Sequence, residues 1–159
     1  MYDKDIRFFF EENIWKKSFS GKKNRLIHEF SICKGKSIVD LAGIMEERIM
    51  GFEIKSDHDS FSRLENQIKQ YDKIFDYNTI IASFKFKNVL EKKLPSHWGI
   101  ILVQEKGFLL CRTAKQNPNQ KMDDIYNLLW QKEKKLLPPM HSKMDIYKLL
   151  LIRNYDYRN

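Results

Sequence analysis

A carboxylate and an ammonium group lie two positions apart in the apolar stretch GFEIK. Glu53 and Lys55 share one face of an extended strand, because side chains alternate between the two faces. A strand in the interior of a domain normally carries apolar residues on a buried face. The pair is therefore either a solvent-exposed edge pair or part of a site that binds a metal ion.

Asp40 supplies a second carboxylate, because it interrupts another apolar stretch, SIVDLAGI. If the two stretches form a hairpin that turns between Glu46 and Glu47, Asp40 lies directly opposite Glu53, with Cβ atoms roughly 5 Å apart. Two ionised carboxylates at that distance repel each other, and a hard divalent cation such as Mg²⁺ or Mn²⁺ removes the repulsion. We predict a metal site here, with Lys55 beside it to orient the attacking water or help to deprotonate it.

The stretches IVD and FEIK resemble the D…E-x-K core of the PD-(D/E)XK nuclease superfamily, with Val39 in place of the motif's proline. The resemblance implies that Asp40, Glu53 and the Ile54 carbonyl bind Mg²⁺. It also implies that Lys55 assists hydrolysis of a phosphodiester bond. The chain resembles a small bacterial group within that superfamily and is similar to the MmcB-like DNA-repair proteins, over about residues 26–84.

Further residues extend this resemblance. Gln67 and Tyr71 form a Q-x-x-x-Y pattern that exonucleases and helicase-linked nucleases of the superfamily carry after the motif, which implies a catalytic role; simple packing of Tyr71 is the alternative. The spacing of four places both on one helix face, and Arg63 lies one turn earlier, where it is either a DNA contact or a solvated charge. Glu29 matches an additional upstream acid, either a further metal ligand or a solvated strand residue.

The charge of the chain favours a polyanionic partner. Its 159 residues carry a formal net charge of +8, and the isoelectric point is about 9.4. A small basic domain commonly binds nucleic acid, and we expect DNA. Lys22 and Lys23, in the polar segment 18–25, are candidate contacts to the DNA backbone; a solvated loop is the alternative.

Composition also indicates a compartment. No stretch approaches the roughly 20 apolar residues of a membrane span, and the N-terminal residues lack the pattern of a secretory signal. Cys33 and Cys111 lie in apolar stretches without metal-ligand spacing, so we expect buried, reduced thiols. We therefore expect a cytoplasmic protein without a membrane partner.

The hydrophobic periodicity predicts an α/β (α+β) fold in a single domain, with a core at about 26–115 and C-terminal helices at about 121–154. The resemblance makes this a restriction-endonuclease-like mixed sheet flanked by helices. The predicted elements are helices 3–17 and 59–75, strands 26–33, 37–45, 49–55, 78–84, 98–105 and 107–114, a short helix before Pro95, and tail helices 122–137 and 141–154.

The leading hypothesis is a Mg²⁺-dependent deoxyribonuclease of DNA repair, host defence or a mobile element. The rival is a non-catalytic module that binds nucleic acid or a protein on the same fold. A third alternative is a basic regulator in which the D…E-x-K match is accidental, which requires Asp40 and Glu53 to lie far apart. The sequence leaves open DNA versus RNA, endonuclease versus exonuclease action, and whether a protein partner or a second copy takes part.

Overall fold

A six-stranded mixed sheet forms the centre of the structure, a computed structural model that describes residues 1–155. The strands lie in the sheet in chain order, the first three as an antiparallel meander. The next two are parallel to the third, and the last returns antiparallel. The strands are β1 Arg25–Ile32, β2 Ser37–Ile44, β3 Ile49–Lys55, β4 Tyr77–Ser83, β5 Gly99–Gln104 and β6 Gly107–Arg112.

Helices cover both faces of this sheet. The N-terminal helical segment packs on one face of the sheet, and later helices pack on the other face. The predicted mixed α/β architecture is confirmed. The helices are α1 Asp3–Phe10, which continues through the π-helical turn Glu11–Trp15 into α2 Lys16–Ser18, then α3 Leu64–Asp72, α4 Lys87–Lys93, α5 Met122–Tyr126, α6 Gln131–Lys134 and α7 Lys143–Ile152.

The predicted register of the β2–β3 hairpin is confirmed where the strands pair. Leu41 lies opposite Phe52 and Ile44 opposite Ile49. A slip by one residue would move every β3 side chain to the opposite face of the sheet, so that Glu53 and Lys55 would face the apolar cluster that includes Phe10 and Trp15. The chain turns at residues 45–48, as the position of the polar Glu46 and Glu47 predicted.

Two predicted helices are longer than the observed ones. The helix predicted to begin at residue 59 begins at Leu64, because the Asp59 carboxylate accepts the Ser56 backbone N–H at 2.7 Å and holds a turn instead of a helix cap. The predicted helix 122–137 is interrupted between α5 and α6. There the Glu133 carboxylate accepts the Trp130 N–H at 2.7 Å and pairs with the buried Arg153.

The predictions on the two cysteines and on membrane spans can also be compared with the structure. Cys33 and Cys111 are free thiols, as expected, but both are half-buried rather than buried. Cys33 follows the end of β1 with a positive φ, so it lies in a turn rather than in a strand. Within residues 1–155, no helix has the length and apolar character needed to cross a membrane.

Candidate acid–lysine site

Glu53 and Lys55 are both buried on the face of β3 that packs against α3. Each is 3% exposed, and the Lys55 ammonium lies 3.5 Å from Glu53 Oε1. The strand that carries them has neighbours on both sides in the sheet. Burial of two charges is costly unless they are paired, so the exposed edge-pair interpretation is wrong.

Asp40 joins this pair from β2. The pairing of β2 with β3 extends only from Leu41 to Ile44, and beyond it Asp40 Oδ2 accepts the Ile54 N–H at 2.8 Å. The amide and carbonyl of one strand residue project to the same side, so the Ile54 carbonyl also faces the β2 side. The Asp40 side chain is 22% exposed, so its carboxylate is more accessible than that of Glu53.

Helix α3 holds the acids and the lysine in place. The Tyr71 hydroxyl donates to Glu53 Oε2 and accepts the Asp40 backbone N–H at 3.3 Å. One turn earlier, Gln67 Oε1 accepts a hydrogen bond from Lys55 Nζ at 3.2 Å. The structure thus brings together all five residues that were predicted to be catalytic. Both members of the Q-x-x-x-Y pattern contact the D…E-x-K residues directly.

The electrostatics of the site favour neutral carboxyl groups. Burial, and then the charge of Asp40, raise the pKa of Glu53 to about 7, although the Tyr71 hydrogen bond and the Lys55 charge oppose this rise. Burial also raises the pKa of Asp40, against the Ile54 N–H and the guanidinium of Arg7. The pKa of Tyr71 lies well above its ordinary value because of burial and the same two acids. Burial therefore outweighs the nearby positive charges of Lys55 and Arg7 at both acids.

Arg7 contacts the site, and sequence reasoning missed it. From α1, its guanidinium donates to the Asp40 carbonyl at 2.8 Å, and it lies 3.2 Å from Asp40 Oδ1 and 2.9 Å from Glu29 Oε1. The only local signal is a basic residue four positions after Asp3, with which it also pairs. The contact with Asp40 spans 33 positions of the chain.

Glu29 does not join the carboxylate pair. Its side chain is 59% exposed and binds Arg7, which lies between Glu29 and Asp40. Glu29 also has a φ of 56°, a left-handed conformation that costs energy for a residue with a side chain. No group of three or more acids, histidines or cysteines within residues 1–155 is arranged to hold a metal. A metal here would take Asp40, Glu53, the Ile54 carbonyl and water.

The donor set nevertheless suits a hard divalent cation. Asp3, Glu29, Asp40 and Glu53 surround two cations, Arg7 and Lys55, which leaves two uncompensated negative charges when all are ionised. Oxygen ligands and retained waters are the usual environment of Mg²⁺. Burial is the main cause of the raised pKa of both acids, and the charge of Asp40 adds to the rise at Glu53.

The predicted DNA-contacting residues are divided between two places. Lys22 and Lys23 are exposed, and Lys23 Nζ lies 3.9 Å from Glu46 at the tip of the hairpin. Asp40 is six positions from that tip, about 20 Å along an extended strand, so the structure does not bring these lysines to the site. Arg63 is exposed at the residue before α3, one helical turn from Gln67.

Additional basic residues border the site. Lys55 pairs with Ala82 in the parallel β3–β4 ladder, and the exposed Lys85 and Lys87 follow β4 directly. Lys85 donates to the backbone of the loop that leaves β3, and Lys87 lies over the half-exposed ring of Phe84, 5.6 Å from its centroid. The sequence analysis missed this group, which the alternating aromatic and basic residues FKFK could have indicated.

Fold and site together define a mixed α/β domain with an Asp–Glu–Lys cluster on its second and third strands, in which the glutamate and the lysine are buried. The chain belongs to the bacteriophage P4 protein cII family, whose model matches residues 9–150. Protein cII of Enterobacteria phage P4 is 29% identical over 102 residues, which cover 64% of this chain and 38% of that protein. The match thus spans well under half of the length of that relative.

A solved structure is also similar. The SPO1766 protein of unknown function from Silicibacter pomeroyi matches with a TM-score of 0.46 and 21% sequence identity. The match covers 72% of this chain and 68% of that chain.

Proposed function

We propose that the protein is a metal-dependent nuclease of the PD-(D/E)XK type that hydrolyses DNA phosphodiester bonds. The observation that carries the proposal is the buried contact between Glu53 and Lys55, with Asp40 beside them at the Ile54 amide. A buried charged pair in an interior strand weakens the fold relative to apolar residues. Perturbed acids at such a place are candidates for chemistry.

Each residue has a role that follows from its contacts. Asp40, Glu53 and the Ile54 carbonyl would hold Mg²⁺ or Mn²⁺, which supplies an activated water and neutralises phosphate charge when bound. Lys55 is held by Gln67 and positions or deprotonates the water. Tyr71 orients Glu53 and is therefore a positioning residue.

Basic side chains near the site support a nucleic-acid substrate. Arg63, Lys85 and Lys87 are exposed around the loop after β3 and the end of β4. Their contacts to phosphates would make binding strongly dependent on salt. Membership of a phage protein family supports a role in the biology of a mobile element, and DNA repair and defence stay as alternatives.

One observation favours the alternative of a non-catalytic binding module. The protein itself already provides donors to both carboxylates: Arg7 and the Ile54 N–H to Asp40, and Tyr71 and Lys55 to Glu53. A site that is satisfied in this way can persist without a metal ion. Metal binding therefore separates the two functions.

The test combines metal binding with cleavage. Purified protein is incubated with circular and linear, single- and double-stranded DNA in Mg²⁺, Mn²⁺ or EDTA, and calorimetry measures Mn²⁺ binding without DNA. We expect metal-dependent cutting that Lys55→Met abolishes, and Mn²⁺ binding that Asp40→Asn abolishes. Lys148→Met is the matched control, because Lys148 is an exposed lysine of α7 that lies away from the acid–lysine site. It lines a groove with Lys23 and Glu46, at the tip of the hairpin.

The outcomes separate the candidates. Cutting by Lys55→Met at the wild-type rate would overturn the proposed role of the lysine. Absence of Mn²⁺ binding and of cutting, with DNA still retained in a gel shift, would overturn the nuclease proposal and support the binding module. Cleavage of the circular substrate identifies an endonuclease.

A further inference from the structure

The surface beyond the carboxyl ends of β3 and β4 is rich in aromatic and basic side chains. Because the two strands are parallel, segments 56–63 and 84–93 leave the sheet side by side. Asp57 joins them: its carboxylate accepts a hydroxyl group at the end of β4, and its carbonyl accepts the Lys85 ammonium. Lys55 lies only two positions before Asp57, so this surface begins where the acid–lysine site ends.

Tyr2 and His58 form the first aromatic group on this surface. Their rings stack with centroids 4.5 Å apart and an angle of 19° between the planes, and Tyr2 is 60% exposed. The Asp57 N–H donates to the Met1 carbonyl at 3.3 Å, which holds the N-terminal residues against the loop. His58 covers one face of the tyrosine ring, so the exposed part includes the other face, on which a further ring can stack.

Phe84 and Lys87 form a second group. Phe84 is 37% exposed, and Lys87 Nζ lies 5.6 Å from the centroid of its ring. Nearby, the rings of Phe61 and Phe86 meet edge to face at 4.8 Å, and Lys93 Nζ lies 5.5 Å from the Phe61 centroid. Each of these aromatic groups therefore has an ammonium group close to it.

The charge of this surface suits a polyanion. Segment 84–93 contains four lysines and one acid, Glu91, and the exposed Arg63 ends the other segment. The acids of that segment are both engaged within the protein, Asp57 by a hydroxyl group and Asp59 by the Ser56 N–H. The excess of positive charge is therefore free to meet phosphate groups.

Rings flanked by cations match the chemistry of an unpaired nucleic-acid strand. A base stacks on an aromatic ring, and a neighbouring ammonium group binds the phosphate that follows. In a duplex the faces of the bases are covered by their neighbours, so that a protein ring reaches them only after a base is flipped out. Exposed rings on this surface therefore favour single strands, whereas lysines alone would accept both forms.

This surface leads to the acid–lysine site from two sides. Tyr2 is the N-cap of α1, and Arg7, five positions later and about 7.5 Å along the helix axis, contacts Asp40. On the other side, Arg63 lies one helical turn before Gln67, which accepts a hydrogen bond from the lysine of the site. A strand bound here would have its phosphates close to the proposed metal ligands.

We propose that this surface binds single-stranded nucleic acid by stacking and presents the unpaired strand to the acid–lysine site. We call it the stacking platform; its members are Tyr2, His58, Phe84, Lys85 and Lys87. An unpaired strand is then the substrate of the nuclease, a role that rests on the proposed function. Binding to the platform needs no metal ion, so it can be measured apart from cutting.

Fluorescence anisotropy in EDTA, at about 150 mM salt to limit purely electrostatic binding, tests the platform. The probes are labelled oligomers of about 12 nucleotides: oligothymidylate, a DNA duplex, oligouridylate, and an abasic strand that has phosphates without bases. We expect oligothymidylate to bind at least tenfold more tightly than the duplex or the abasic strand, because two or more bases stack. The oligouridylate compares RNA with DNA.

Variants separate stacking from charge. Phe84→Leu and Tyr2→Leu each remove a ring and keep an apolar side chain, so each should weaken binding of oligothymidylate about 5- to 100-fold and leave binding of the abasic strand unchanged. Lys87→Gln should weaken binding of both strands and lower the slope of log affinity against log salt by about 0.7. Circular dichroism and melting curves verify that each variant is folded.

The matched control is Tyr126→Leu, which should bind as wild type does. Tyr126 also has a stacked histidine and a lysine over its ring, but it lies on α5. That helix follows Lys121, whose N–H donates to the Lys73 carbonyl beyond the C-terminal end of α3, whereas the platform lies beyond its N-terminal end.

Photocrosslinking locates the strand. With iododeoxyuridine in the oligomer, we expect crosslinks to peptides that contain Tyr2 or Phe84. Equal binding of oligothymidylate and the abasic strand by wild type, ring variants that bind as wild type does, or crosslinks only outside the platform would overturn this proposal, whether or not the protein cuts DNA. The expected binding in a protein that never cuts would support the platform and overturn the nuclease.

Discussion

The titration of Glu53 gives a quantitative test of the electrostatics of the site. Its pKa rises from an ordinary 4.5 to about 7 in the folded protein. The folded state therefore holds this proton more tightly than the unfolded chain does. The resulting stability is complete below pH 4.5 and is lost as the pH rises through 7. At 1.36 kcal/mol per pKa unit, the free energy of unfolding falls by about 3 kcal/mol across this window.

The variant Glu53→Gln removes the titrating group and keeps its shape. We expect the difference in unfolding free energy, variant minus wild type, to rise by about 3 kcal/mol between pH 4.5 and 8 in EDTA. For a chain of this length, that is a relative shift in Tm of roughly 6–12 °C. The assay is urea or thermal unfolding at half-unit steps of pH. Because Asp40 and Glu53 interact, the curve reports the titration of the pair.

Two comparisons make this test decisive. The control Glu65→Gln, at an exposed acid of α3, should give a curve parallel to that of wild type. Addition of Mg²⁺ at pH 8 should stabilise wild type and not Glu53→Gln, because a bound cation favours the ionised carboxylate. If the curves of Glu53→Gln and wild type run parallel from pH 4.5 to 8, Glu53 does not titrate as its burial implies, and the reasoning is refuted.

Three further substitutions test other contacts. Arg7→Gln should tighten Mn²⁺ binding by about tenfold in calorimetry, because it frees Asp40 from a competing cation worth about 1.5–3 kcal/mol; unchanged affinity would show that the ion does not use Asp40. Tyr71→Phe should lower the free energy of urea unfolding at pH 8 by about 1–3 kcal/mol, because Glu53 loses its buried donor, and a stability equal to wild type would contradict that hydrogen bond. Gly43→Ala should lower it by about 1–3 kcal/mol, because the new methyl group overlaps the ring of Trp15, and a neutral effect would contradict that packing.

The sequence predicted the centre of the site because its signals there are local. The polar residues Glu46 and Glu47 located the turn, and with it the hairpin register and the approach of Asp40 to Glu53. A spacing of four on one helix placed Gln67 and Tyr71 on a common face, and both face the site. Each of these inferences needs only the period of one element or the turn between two neighbours.

The contacts that were missed depend on tertiary structure. Arg7 approaches Asp40 only because α1 packs across the sheet, where Ile6 and Phe10 are buried. Nothing within the first helix indicates that partner. The predicted long tail helix failed for a similar reason, since the ion pair between Glu133 and Arg153 joins segments 20 positions apart. Local periodicity cannot anticipate contacts of this kind.

The position of Arg7 also explains how the half-buried Asp40 and the buried Glu53 persist side by side on adjacent strands. Its guanidinium shares one positive charge between Asp40 and Glu29, and Lys55 provides another to Glu53. Removal of one partner from such a cluster leaves an uncompensated buried charge, which costs more than the pair contributes. A divalent ion that binds Asp40 would compete with Arg7 for that carboxylate. In the proposed function, the balance between the arginine and the ion would therefore set the metal affinity of the site.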